Sequence, residues 1–81
     1  HFIARWTRDV NVGGGTYRFD IVGDDGVRVY IDGALLIDKW IDQPPTKYSA
    51  EKVLTTGTHN IQVEFYENSG GALVEFVFGL I

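Results

Sequence analysis

The stretch DIVGDDGVRVYIDG, residues 20–33, decides how the whole chain is read. Near its end Val27, Val29 and Ile31 alternate with Arg28 and Tyr30, the period of two that marks a strand with one buried face. Asp32-Gly33 follows at once, and an Asp-Gly pair between two such runs specifies a two-residue hairpin, because both central residues must take positive φ. Upstream, TYRFDIV places Tyr17, Phe19 and Ile21 on one face and Arg18 and Asp20 on the other. Between these strands stand Asp24, Asp25 and Gly26. Adjacent carboxylates repel, so the pair is either a solvated turn or the holder of a cation.

The same period runs outward in both directions, and no segment carries a helical stripe. Phe2, Ala4 and Trp6 alternate with Ile3, Arg5 and Thr7 in a run that reaches Val12, where Gly13, Gly14 and Gly15 break it. After the hairpin comes ALLIDKW, then DQPPTK, a loop because two consecutive prolines cannot both sit in a paired strand. YSAEKVL is a weaker strand, and Thr56-Gly57 turns the chain into HNIQVEFY, with Ile61, Val63 and Phe65 on one side. ENSGG is a polar, glycine-rich loop. ALVEFVFGLI closes the chain with Ala72, Val74, Phe76, Phe78 and Leu80 on one face. About seven short strands with turns every 8–12 residues give an all-β antiparallel sandwich or barrel. Residues 1–81 form one domain.

Composition removes several classes of function. The 81 residues carry a net charge of −4 and no cysteine. There is no disulfide or Cys-based zinc site, and no basic surface for nucleic acid or anionic lipid. No apolar run approaches the ~20 residues of a spanning helix. The chain begins at His1 rather than Met, as a processed chain or a piece of a longer one would. A nucleophilic enzyme is not indicated, since no serine sits in a Gly-x-Ser-x-Gly turn. His59 opens a strand after a turn and reads as a hydrogen-bonded surface histidine. Residues 9–20 mimic an EF-hand loop with Asp9, Asn11, Gly14 and Asp20, but Gly13 offers no ligand and Asp20 lies mid-strand, so that reading is rejected.

For Asp24-Asp25 the natural cation is calcium, which takes six to eight oxygen ligands. The pair supplies too few, and the oxygen-rich loop best able to complete the shell is Glu67, Asn68 and Ser69 with their carbonyls. Trp6 and Trp40 read as packing residues. Arg28, opposite Asp20 or Glu64, reads as a solvated surface charge, and Asp38 and Asp42 as surface groups.

FIARWTRDVNVGGGTYRFDIVGDDGVRVYIDGALLIDKW, with GTHNIQVEFYENSGGALVEF, resembles the protective-antigen-type (PA-fourteen) domain over nearly all 81 residues. The resemblance implies a β-sandwich or barrel with a lectin-like role. It implies that Asp24 and Asp25, joined by a cis peptide, ligate a calcium ion that in turn coordinates sugar hydroxyls. It maps a second calcium loop onto Glu67 to Ala72, with Asn68 as its side-chain ligand and Glu67, Ser69, Gly70 and Tyr66 around the bound sugar. The family's domain is usually longer, with strands before the Arg-Trp segment. A shortened sandwich exposes apolar surface and strand edges, so a homo-oligomer is expected. The function expected is a non-catalytic, extracellular or cell-surface, calcium-dependent carbohydrate-binding module. The alternative is a structural, self-assembling subunit of a surface assembly that binds no sugar.

Overall fold

β-Branched and aromatic residues at alternate positions fit a pleated, half-buried surface, and here they build seven strands. The computed structural model describes residues 2–44, 46–67 and 73–81, with the backbone alone at Phe2, Asp24 and Leu73. The strands are β1 (Phe2–Val12), β2 (Gly15–Asp24), β3 (Val27–Ile31), β4 (Ala34–Lys39), β5 (Thr46–Leu54), β6 (Gly57–Glu67) and β7 (Leu73–Leu80). They form two antiparallel sheets, one ordered β1-β6-β3-β4 and the other β5-β2-β7. β5, the weaker strand in sequence, pairs along its whole length with β2.

Of the connections, only β3 to β4 stays within a sheet. It is the Asp32-Gly33 hairpin, with φ of 51° and 81° at its two central residues. Every other connection joins strands of different sheets. Three of these, Gly13-Gly14, Asp25-Gly26 and Thr55-Thr56, do so in two residues. Crossing so quickly brings backbone against side chains. A Cβ on Gly23 would overlap the Val27 side chain, and one on Gly26 would overlap the Tyr66 ring.

The core lies between the sheets. Phe19 and Ile21 of β2 meet Val27, Val29 and Ile31 of β3 and Ile61 of β6, and all six are fully buried. Phe19 stacks on Phe78 and Phe76 of β7, with centroids 5.7 and 6.4 Å apart. Trp6, which the alternation of β1 places among packing residues, is 43% exposed. It lines an open apolar groove with Val63, Phe65, Val74 and Phe76, because β1 and β7 are edge strands and none of the described residues packs beyond them there. Leu80, also read as inward, is exposed at the end of edge strand β7.

On the outer face of the four-stranded sheet the register aligns Arg5, Glu64, Arg28 and Asp38 in one row. Arg5 pairs with Glu64 and Arg28 with Asp38, each at 3.1 Å. Arg28 therefore does not face Asp20, which lies in the other sheet beside Arg18 and Ser49. Exposed pairs of this kind contribute about 0–1 kcal/mol each, so they set register more than stability.

Truncating Phe19, fully buried and flanked by two aromatic rings, is expected to cost about 3–5 kcal/mol. Val53→Ala, at a position 72% exposed, is expected to stay within about 0.5 kcal/mol. Urea unfolding of the two variants beside the parent chain measures both. Equal effects would place the core elsewhere.

Candidate functional site

Asp24 ends β2 and Val27 begins β3, so Asp25 and Gly26 alone carry the chain from one sheet to the other. The pair expected at the tip of a simple turn thus sits at an inter-sheet crossing. The strand ladders show what adjoins it. Asp24 pairs with Leu73, the first residue of β7, and the Tyr66 N–H donates to the Gly26 carbonyl at 3.0 Å. Tyr66 is the penultimate residue of β6. The two strands that flank residues 68–72 are therefore both bonded to the Asp24–Gly26 crossing. The fold has brought the strand ends that flank residues 68–72 to the crossing that carries Asp25.

Asn68, Ser69 and Gly70 lie outside the described residues, as does the Asp24 side chain. Glu67 is described: its side chain is buried, and the residue is 2% exposed. Tyr66 is buried as well. Its ring packs against Trp40 at 4.7 Å, and its hydroxyl donates to Asp42 Oδ1 at 2.8 Å. Burial, and then the Asp42 carboxylate, push the Tyr66 hydroxyl up to about 12, with Asp25 adding to the effect. Two carboxylates, from the crossing and from the β4–β5 connection, thus act on one hydroxyl. Trp40 is covered on its face by the Arg28 guanidinium, 4.5 Å from the ring centroid.

Asp25 is gripped by that same connection. The Gln43 side-chain amide donates to the Asp25 carbonyl at 2.5 Å, and the Gln43 backbone N–H donates to Asp25 Oδ1 at 3.3 Å. The Tyr48 hydroxyl, on β5, bonds Gln43 Oε1. The donors here are oxygens, the set that suits a hard cation such as calcium. Among the described residues no three acidic or histidine side chains converge to hold a metal, so a full shell requires Asp24 and residues 68–72. Among the described residues no peptide bond is cis, so the cis Asp24–Asp25 linkage implied by the resemblance is not one of the observed features.

At the opposite end lies an arrangement that the sequence reading missed. His59 is not a surface histidine but is 9% exposed. Its Nδ1 faces Asp32 Oδ2 at 2.5 Å and its Nε2 faces the Thr55 carbonyl at 2.7 Å. A carbonyl only accepts, so Nε2 carries a proton. The carboxylate claims a second proton at Nδ1, and the ring is held as an imidazolium. The hydrogen bond to Asp32, then that to Thr55, hold the His59 pKa above its usual value. Asp32 is lowered in turn, by His59 first and then by the Asn60 N–H. Asp32 also fixes the hairpin tip, since its N–H donates to the Asn60 carbonyl and its Oδ1 accepts from the Asn60 N–H, both at 2.8 Å. The signal that could have revealed the pair was an Asp already placed at positive φ and a His next to a short turn, but pairing them requires knowing that β3 neighbours β6.

Seven antiparallel strands in two sheets, crossed by short connections, define a small β-sandwich domain. The PA14 domain family model matches residues 1–81, and the chain belongs to that family. It is 38% identical over 79 residues to the anti-sigma-I factor RsgI3 of Acetivibrio thermocellus, spanning 95% of this chain and only 12% of that protein. Among solved structures it is similar to an anti-sigma factor domain-containing protein, with a TM-score of 0.87, 38% identity, and coverage of 96% of this chain and 28% of that one. It shares its fold with the PA14 sugar-binding domain of an RTX adhesin, with a TM-score of 0.84, 24% identity, and coverage of 95% and 45%.

The Asp32–His59 pair makes stability depend on pH in a defined way. Raised in the fold, His59 contributes fully below its unfolded value and loses that contribution as pH climbs through the folded one. Asp32, lowered in the fold, contributes above its unfolded value and loses it as pH falls through the folded one. The pair therefore supports the fold most between about pH 4 and 6.5. Asp32→Asn keeps the tolerated positive φ and the bond from Asn60 while removing the charge. The difference in melting temperature between parent and variant is expected to be largest in that window and to shrink on either side. A pH-independent difference would show that His59 is not charged in the fold.

Proposed function

We propose that this PA14 domain is a non-catalytic, calcium-dependent carbohydrate-binding module working outside the cell or at its surface. The single observation that supports the reading is that the strand ends flanking residues 68–72 are bonded to the Asp24–Gly26 crossing. Asp24 is laddered to the residue that follows 68–72, and Gly26 is bonded to the strand that precedes it. Asp24, Asp25 and Asn68 would hold the ion, with neighbouring carbonyls completing its shell. Calcium so held offers open positions to the vicinal hydroxyls of a sugar. Glu67, Ser69, Gly70 and Tyr66 border that position. Tyr66, buried and bonded to Asp42, contributes from beneath the site rather than by pointing outward.

The relatives support a binding role. The same domain occurs as a small part of an anti-sigma factor and within an adhesin, where it is described as sugar-binding. A module carried by proteins of unrelated activity is more simply a ligand reader than a seat of chemistry. The identity of 38% to two anti-sigma chains favours a further statement about context: in a parent protein of that kind, the domain is the part that reads a carbohydrate.

Calorimetric titration with calcium chloride is expected to give a dissociation constant of about 10⁻⁴–10⁻³ M, the range of extracellular modules. At ten times that concentration the ion adds about 1.4 kcal/mol of stability by mass action. Asp24→Ala/Asp25→Ala is expected to lose both effects, and glycan binding by the parent chain to vanish with a chelator. No heat at millimolar calcium would make the aspartate pair an ordinary turn, and glycan binding that survives chelation would remove calcium from the mechanism.

A further inference from the structure

The strand ladders leave Asp25 between them. The β2 ladders end at Asp24 and the β3 ladders begin at Val27, so strand pairing does not set the position of the residue on which the cation site depends. We infer that Gln43, in the β4–β5 connection, is the positioning residue of that site. This rests on the cation reading above and adds to it a residue that lies outside both calcium-binding segments.

Gln43 takes hold of Asp25 at two atoms, the carbonyl through its side-chain amide and Oδ1 through its own backbone N–H. The orientation of the amide is fixed by chemistry. The Asp25 carbonyl can only accept, so the amide nitrogen faces it. Oε1 then turns to Tyr48, whose hydroxyl must donate. Tyr48 is set in the first half of β5, paired with Ile21 of β2, its ring partly buried against the core and capped by the Lys39 ammonium at 5.5 Å. A chain of bonds therefore runs from a strand of the three-stranded sheet, through Gln43, to the crossing. It fixes the Asp25 carbonyl and turns its carboxylate by one oxygen. Calcium ligands sit at about 2.3–2.6 Å, and loss of groups that orient metal ligands typically weakens metal binding by about 10–100-fold.

Three variants, titrated with calcium chloride by calorimetry beside the parent chain and Asp25→Ala, test this, with melting temperatures taken in EDTA. Gln43→Ala is expected to bind calcium about tenfold more weakly or worse, and Tyr48→Phe to weaken it in the same direction by less. Gln43→Glu is the sharpest case. It keeps the volume and adds a negative charge, which by itself would draw the cation in, but it sets an oxygen against the Asp25 carbonyl where a donor stood. Weaker binding by Gln43→Glu is expected, and binding as tight as or tighter than the parent's would overturn the inference. So would a lowered melting temperature in EDTA with an unchanged calcium affinity, since Gln43 would then serve the fold alone. Absence of calcium binding by the parent chain would overturn the cation reading itself and this inference with it. Binding by the parent, its loss in Asp25→Ala and no change in the Gln43 variants would overturn this inference alone.

Discussion

The rest of the structure depends on the chain passing from one sheet to the other within Asp25-Gly26. A crossing that short leaves no room for a loop with a core of its own, so the backbone runs directly against side chains from both sheets. Gly23 and Gly26 are where that contact occurs, against Val27 and the Tyr66 ring. Once β2 and β3 are joined this tightly, they face each other across the interior, and Phe19 and Ile21 are brought onto Val27, Val29 and Ile31. β6 then pairs with β3, β7 and β5 flank β2, and β1 closes the four-stranded sheet. The same constraint that builds the core places the two aspartates at an end of the sandwich, beside the end of β6 and the start of β7.

Most of the strands were legible in the sequence because period two is a local property, displayed without help from neighbouring strands; β4, with its unbroken apolar run Ala34–Ile37, is marked instead by the hairpin before it. The Asp32-Gly33 hairpin was legible for the same reason, since positive φ at two adjacent residues is a local demand that Asp-Gly meets. The pairing of strands was not. Gly13-Gly14 and Asp25-Gly26 look in sequence like tight turns between adjacent strands, yet both carry the chain between sheets. A short glycine-containing connection satisfies either geometry, and only the packing of distant residues distinguishes them. The misplacement of Trp6 has a similar origin. Alternation shows which face of β1 turns inward, but not whether anything lies opposite a strand at the edge of its sheet.

The chemistry proposed for the site is local in sequence: two adjacent carboxylates and a polar, glycine-rich segment can each be recognised where they stand. What the fold adds is that Leu73 and Tyr66, at the strand ends flanking residues 68–72, are bonded to the crossing. Gln43 and Asp42 could not be recognised, because they belong to a proline-containing loop that in sequence only separates two strands. Their role follows from the loop's return across the crossing, which brings Gln43 to Asp25 and Asp42 to Tyr66. The Asp32–His59 pair was hidden in the same way, behind 26 intervening residues and a non-consecutive strand pairing.

The protonation states of these groups bear on how the two ends of the sandwich are held. His59 has both ring nitrogens committed to acceptors, and the Asp32 carboxylate first, then the Thr55 carbonyl, hold its pKa above the usual value. The Tyr66 hydroxyl, pushed up to about 12, stays neutral and donates to Asp42. Asp20 and Asp32 are both lowered by their hydrogen-bond partners, Ser49 and His59 first, so each carboxylate is favoured in the ionised form that its partner binds. The two ends of the sandwich are thus held by different means: an ionised Asp32 against His59 at the hairpin, and a neutral Tyr66 hydroxyl against Asp42 beside the crossing.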